Sequence, residues 1–130
     1  MKDILFVDDE RDLLESLRAR LYKHRHDWNM TFLVSGEEAI ATFERQHVDL
    51  IVSDVRMPGM NGLDLQRRVR LARPQLPIIF ITAHHEDEVE RTAFAEGAAF
   101  FIRKPFDAEE LLRATRLALS KSSGGNRKTP

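Results

Sequence analysis

The sequence contains no cysteine. Disulfide staples, thiolate metal sites and a cysteine nucleophile are thereby excluded. It also lacks an excess of charge: 20 Lys and Arg face 21 Asp and Glu, for a formal net charge of −1. Nothing in that balance draws the chain toward nucleic acid or an anionic membrane. Long apolar runs are missing too. The first, Ile4 to Val7, ends at Asp8 and Asp9 and is too short for a secretory leader. No run approaches the ~18 apolar residues of a membrane span. The expectation is a soluble, cytoplasmic protein with no membrane partner and no direct nucleic-acid binding.

What is present suits one domain. Of 130 residues, 42% are hydrophobic and 32% charged, enough apolar material for a real core at this length. Short apolar runs alternate with longer amphipathic stretches. Strands are expected at Ile4–Val7, Met30–Val34, Leu50–Ser53, Ile78–Ile81 and Ala99–Ile102. Helices are expected between them. Leu13, Leu14, Leu17 and Leu21 repeat at helical spacing. Ser35 with Glu38 reads as a capping box opening a helix to about Gln46, and Asp107 with Glu110 as another for a helix to about Leu119. Further helices should cover about Leu63 to Arg73 and Glu86 to Ala95, the latter stopped by Gly97. Met57-Pro58-Gly59-Met60-Asn61-Gly62 is a turn-rich loop. Strand and helix alternate five times, which calls for an α/β fold, a doubly wound parallel sheet with helices on both faces. The domain should span 1–120. Residues 121–130 carry no large apolar side chain and read as a disordered tail or linker stub.

The polar residue that follows each strand is the informative feature. Asp8 and Asp9 follow the first, Asp54 the third, Thr82 the fourth and Lys104 the fifth. In a parallel sheet all strand C-termini share one rim, where open α/β folds bind ligands. Carboxylates gathered there repel one another and raise each other's pKa. A hard cation such as Mg²⁺ relieves that repulsion. A carboxylate can itself be a nucleophile toward phosphorus, with a lysine and a hydroxyl to meet the phosphoryl oxygens.

Four pieces, in order and at matching spacing, resemble the receiver domain of two-component response regulators: Phe6-Val7-Asp8-Asp9-Glu10, Asp54 within Ser53 to Gly62, Thr82-Ala83, and Lys104-Pro105-Phe106. The resemblance spans about Lys2 to Leu119. It implies the flavodoxin-like strand order 2-1-3-4-5 also found in chemotaxis receivers. It implies that Asp54 takes a phosphoryl group from the phosphohistidine of a sensor histidine kinase or phosphotransfer protein. By the same resemblance Asp9, Asp54 and the backbone carbonyl of Arg56 bind Mg²⁺ directly, and Asp8 binds it through water. Lys104 and Thr82 contact the phosphoryl oxygens. Thr82 then moves, Phe101 turns inward, and the surface of the fourth helix, fifth strand and fifth helix changes, with homodimerisation there as an option. Lys104-Pro105 is expected to be cis. Such a domain is not an enzyme in the usual sense, although it catalyses its own phosphorylation and dephosphorylation. Arg56 and His84, each two residues past a site residue, are expected to obstruct the attacking water and lengthen the phosphorylated state.

Taken singly, each residue also suits a plainer role. Asp9 could cap a helix, Asp54 could open a turn, Thr82 could cap the next helix, and Lys104 could be a solvated charge. None of these explains why all four share one rim. His84-His85 with Glu86 or Glu88 fits no zinc spacing. An aspartate phosphatase would need a second acid two residues past the nucleophile, where Arg56 stands. A flavodoxin-type cofactor binder would want a phosphate loop where Asp8-Asp9-Glu10 stands. A phosphorylation-independent interaction module of the same fold is the alternative that survives.

Overall fold

The computed structural model describes the chain apart from residues 84–85 and 129–130, with side chains described as far as Lys121. Strands β1 (Lys2–Val7), β2 (Trp28–Leu33), β3 (Leu50–Asp54), β4 (Ile78–Thr82) and β5 (Phe100–Arg103) form one sheet in the order β2-β1-β3-β4-β5. All four pairings are parallel. The helices are α1 (Arg11–Leu21), α2 (Gly36–Arg45), α3 (Gly62–Ala72), α4 (Asp87–Ala95) and α5 (Ala108–Lys128).

Successive strand residues point to opposite faces, and the apolar runs fill both. Ile4, Phe6, Val52, Ile79 and Ile81 pack under Leu14, Leu17 and Leu21 of α1 and Leu111, Leu112 and Ala118 of α5. Leu5, Val7, Ile51, Ile78 and Phe80 pack under Ala39 and Ile40 of α2, Leu65 and Val69 of α3, and Ala93 of α4. Each Leu, Ile, Val or Phe among them contributes roughly 1.5–3 kcal/mol by leaving water. Both faces of the sheet are covered, as expected for near-continuous apolar strands.

Helix ends follow local chemistry. The Ser35 hydroxyl accepts from the Glu38 N–H at 3.1 Å, but the Glu38 carboxylate accepts from the Val34 N–H rather than closing the box on Ser35. The Asp107 carboxylate accepts from the Glu110 N–H at 3.0 Å. A full reciprocal box, Asn61 with Asp64, opens α3. It stands at the end of what reads in sequence as a plain turn loop. Glu10, not Asp9, is the N-cap of α1, and it makes no side-chain cap bond. Gly97 ends α4 with φ +99°. There the N–H of Ala98 bonds the Ala93 carbonyl at 2.9 Å and that of Gly97 the Phe94 carbonyl at 3.0 Å, the Schellman arrangement.

Several boundaries depart from expectation: β1 starts at Lys2 instead of Ile4, and β5 runs Phe100–Arg103 instead of Ala99–Ile102. β2 starts two residues early because Trp28 pairs with Lys2 on β1. As an edge strand it is half-buried along most of its length, which blurs its pattern. A 3-10 turn, Tyr22–His24, follows α1. The helix α5 runs through Lys128 instead of ending near Leu119. The added segment holds no large apolar residue, so periodicity carries no sign of it. The Lys104–Pro105 bond is cis.

Candidate functional site

The register sets the polar residues on one rim. Val7 is level with Ser53, Asp54 with Ile81, and Thr82 with Arg103. Asp8, Asp54, Thr82 and Lys104 therefore all sit at or just past strand C-termini. Asp8, Asp54 and Thr82 are buried, at 0%, 6% and 1% exposure.

Lys104 joins three elements. Its Nζ donates to Asp8 Oδ2 at 3.0 Å, Glu10 Oε1 at 2.7 Å and Asp54 Oδ2 at 3.2 Å. The Asp8 Oδ1 accepts from the Glu10 N–H at 2.8 Å. The Asp54 Oδ1 accepts from the Arg56 N–H at 3.4 Å. Behind the site, the Thr82 carbonyl accepts the Lys104 N–H at 2.8 Å.

The charges in this pocket do not balance: three carboxylates share one ammonium. Burial, and then the Asp54 charge, push the Asp8 carboxyl up to about 6, against the pull of the Glu10 N–H and Lys104. For Lys104, burial alone would lower the ammonium pKa. Its hydrogen bonds to Glu10 and Asp8 and the Asp54 charge more than offset this and hold it above the usual lysine range. A second cation would relieve the excess, and the donors are hard oxygens of the kind Mg²⁺ takes. Carboxylate oxygens of Asp8, Glu10 and Asp54 lie within 4.8 Å of one another. The donor set fits such an ion.

Asp9, expected as a direct ligand, is exposed and stands outside this group, whereas Glu10 stands within it. Glu10 received no role from sequence. The third acid in the run Asp8-Asp9-Glu10 was the available signal, obscured because a residue at the start of a helix reads equally as a solvated charge. Phe101 is half-buried between Phe80 and Phe94, with ring centroids 6.2 and 6.4 Å away. Arg56 sends its guanidinium away from the carboxylates to Glu86. The expectation for His84 lies outside the described residues.

Gly62 allows the loop after β3 to close tightly. A Cβ there would lie 2.2 Å from the Asp54 carbonyl oxygen and 3.0 Å from Val55 Cα and a Phe80 ring carbon. Gly59 has φ +74°, a left-handed turn that suits glycine, and the next N–H, of Met60, bonds Glu37 at 2.9 Å.

At the opposite rim, Asp3, His47 and Asp49 also cluster, but they form a clasp. Asp49 accepts from the Asp3 N–H and bonds His47 Nε2, both at 2.8 Å, and Asn29 donates to Asp3 at 2.8 Å. The clasp ties β1, β2 and the start of β3.

Comparison with known proteins agrees with this geometry. The family model for the response regulator receiver domain matches residues 4–116. The chain is 34% identical over 118 residues to the C4-dicarboxylate transport transcriptional regulatory protein DctD of Rhizobium meliloti, covering 91% of this chain and 25% of that protein. It is 35% identical over 120 residues to the transcriptional regulatory protein TrcR of Mycobacterium tuberculosis, covering 92% of this chain and 46% of that one. Among solved structures, the non-phosphorylated HemR receiver domain of Leptospira biflexa aligns with a TM-score of 0.83 at 32% identity, over 92% of this chain and 95% of that one. The chain belongs to the response regulator receiver domain family, the phosphorylation-activated switches of two-component systems. It spans about a fifth to about a half of the length of the curated relatives it matches. No helix among the described residues is long and apolar enough to cross a membrane.

Proposed function

We propose that Asp54 is the phosphoacceptor, and that the domain accepts its phosphoryl group from a histidine kinase or phosphotransfer protein in the cytoplasm. The observation that carries this reading is the Lys104 ammonium, held within hydrogen-bonding distance of Asp8, Glu10 and Asp54 at one rim. A carboxylate oxygen of Asp54 attacks phosphorus, forming a P–O bond as the P–N bond to the donor imidazole breaks. The imidazole leaves with the bonding electron pair. Lys104 exchanges a carboxylate partner for a phosphoryl oxygen, and the Thr82 hydroxyl donates to another. Asp8 and Asp54 would hold Mg²⁺ with the Arg56 carbonyl, joined by Asp9 turned in from solvent or by Glu10. When bound, the ion neutralises charge on the transferring group.

The consequence is a population shift driven by new charge contacts. Thr82 and Phe101 transmit it to the face made by α4, β5 and α5. That face exposes Phe94 at 44% and Leu117 at 47%, apolar surface suited to a partner or a second copy. Acetyl phosphate with Mg²⁺ tests the reading. Intact-mass spectrometry should show one added phosphoryl group on the wild type and none on Asp54→Asn. An unlabelled, folded wild type would instead favour a phosphorylation-independent interaction module.

A further inference from the structure

Helix α4 is held in an unusual way for a sheet-covering helix. Ala93 is its only fully buried residue; Val89 is half-buried against the same core and Phe94 packs on Phe101, so apolar packing is sparse. Charged and polar ties supply the rest. Arg103 at the end of β5 reaches Glu90 at 2.6 Å and Asp87 at 3.7 Å. Arg70 of α3 reaches Glu96 at 2.6 Å, and Gln66 donates to the Ala93 carbonyl at 3.0 Å. At the N-terminus, Arg56 pairs with Glu86. Glu86 is the N-cap residue of α4, yet its side chain makes no cap bond. Its carboxylate is committed to Arg56.

Arg56 faces two ways. Its N–H donates to the Asp54 carboxylate at 3.4 Å, while its guanidinium ties down α4. Before phosphorylation, Asp54 is already paired with Lys104, which it shares with Asp8 and Glu10. A phosphoryl group there carries roughly −1.5 to −2 of charge in place of the carboxylate's single charge, and presents three acceptor oxygens further out. A guanidinium is always charged and binds such oxygens in a two-pronged fashion. Against that, a half-exposed carboxylate is a weak competitor.

We propose that Glu86 is the resting-state partner of Arg56, and that a phosphoryl group on Asp54 takes Arg56 from it, releasing the N-terminus of α4. The inference rests on Asp54 being the phosphoacceptor. Glu86 acts as a positioning residue: it holds Arg56 off the acceptor and makes α4 sense the acceptor's charge. The pair spans the loop after β3 and the start of α4, so the handover couples the site to the helix without a change in the core.

The reporter is the Glu90 amide, which bonds the Glu86 carbonyl at 3.1 Å. Its hydrogen exchange is measured by NMR in wild type, Glu86→Gln, Arg56→Gln and the charge-swapped double variant that combines Arg56→Glu with Glu86→Arg, with and without beryllofluoride and Mg²⁺. Circular dichroism checks the fold of each. Wild-type exchange should rise about two- to fivefold on adding beryllofluoride, the range one exposed ion pair can give. Both single variants should exchange that much faster at rest and respond little. The swap should restore the slow resting rate but not the response, because a carboxylate at position 56 cannot bind the anion. High salt should make the resting wild type behave like Glu86→Gln. A Glu86→Gln protein that exchanges at the wild-type resting rate would overturn the proposal. So would a wild type with bound beryllofluoride, seen by fluorine NMR, and unchanged Glu90 exchange. Absence of any bound fluoride signal would instead remove the Asp54 reading, and the handover with it.

Discussion

Asp8 has no exposed surface and shares one lysine with two other carboxylates. Its function therefore costs stability. Asp8→Asn removes a buried charge, keeps the shape, and leaves Lys104 with Glu10 and Asp54. The variant should melt a few degrees higher, a gain on the order of 1–2 kcal/mol, while losing phosphorylation by acetyl phosphate. Scanning calorimetry beside intact-mass spectrometry checks both halves, and a lower melting temperature would show that the carboxylate is held in place by more than it repels. Gly62 gives the opposite case, a residue whose side chain is excluded. With an added Cβ at 2.2 Å from a backbone oxygen, Gly62→Ala must push the loop from β3 off the Asp54 carbonyl. The expected loss is about 1–3 kcal/mol, read from urea denaturation, together with slower phosphorylation because the loop carries Arg56. The two residues differ in how far sequence alone reveals them. Asp8 was legible because a carboxylate straight after a buried apolar strand has few structural uses, whereas its neighbour Asp9 is exposed. The need for glycine at position 62 was not legible, because it depends on a contact with Asp54, eight residues earlier in the chain.

At the scale of elements, legibility followed burial. β3 and β4 are buried throughout and start where their apolar runs begin, whereas β1 extends two half-buried residues, Lys2 and Asp3, ahead of its run. β2 and β5 lie at the sheet edges, are half-buried, and start one or two residues from where their sequence pattern puts them. For α4 the sequence shows a helix but not how loosely it packs, since its ties are long-range contacts to Arg56, Gln66, Arg70 and Arg103. Gln66 is the instructive member. It is buried at 2% exposure; its Nε2 bonds the Ala93 carbonyl, but its Oε1 has no partner. The Ala93 carbonyl also accepts from Ala98, so it is not orphaned when Gln66 is lost. Gln66→Met should therefore be neutral or stabilising by up to about 1 kcal/mol, because it fills the same space and removes an unsatisfied oxygen. Gln66→Ala, which leaves a void, should cost about 2 kcal/mol or more. Urea midpoints of the two variants distinguish these, and equal destabilisation by both would mean that the amide bond to α4 outweighs the buried oxygen.

On the scale of the whole molecule, the two ends of the sheet respond to pH in opposite senses. At one rim, burial pushes Asp49 upward, but the Asp3 N–H, the His47 bond and charge, and Lys2 more than offset it and lower its pKa. A carboxyl with a lowered native pKa contributes stability above its unfolded value of 3.8, and that contribution is lost as pH falls through the native value. At the other rim, the native Asp8 carboxyl is raised from 3.8 to about 6. Between those values the native state holds a proton that the unfolded state has released, so stability falls as pH rises across that window. The receiver without metal should thus be most stable near pH 4 to 5 and weaker at neutral pH, by an amount on the order of 2 kcal/mol if Asp8 acts alone. The acid rim is also the proposed cation site, which makes the prediction separable. Mg²⁺ should stabilise the protein little at pH 5, where the Asp8 proton competes, and more at pH 7.5, where the carboxylate is free. Melting temperatures measured over pH 4 to 8, with and without Mg²⁺, should diverge through about pH 6, and the divergence should shrink in Asp8→Asn. Parallel curves for the wild type would mean that the burial of Asp8, rather than its charge, shapes the site.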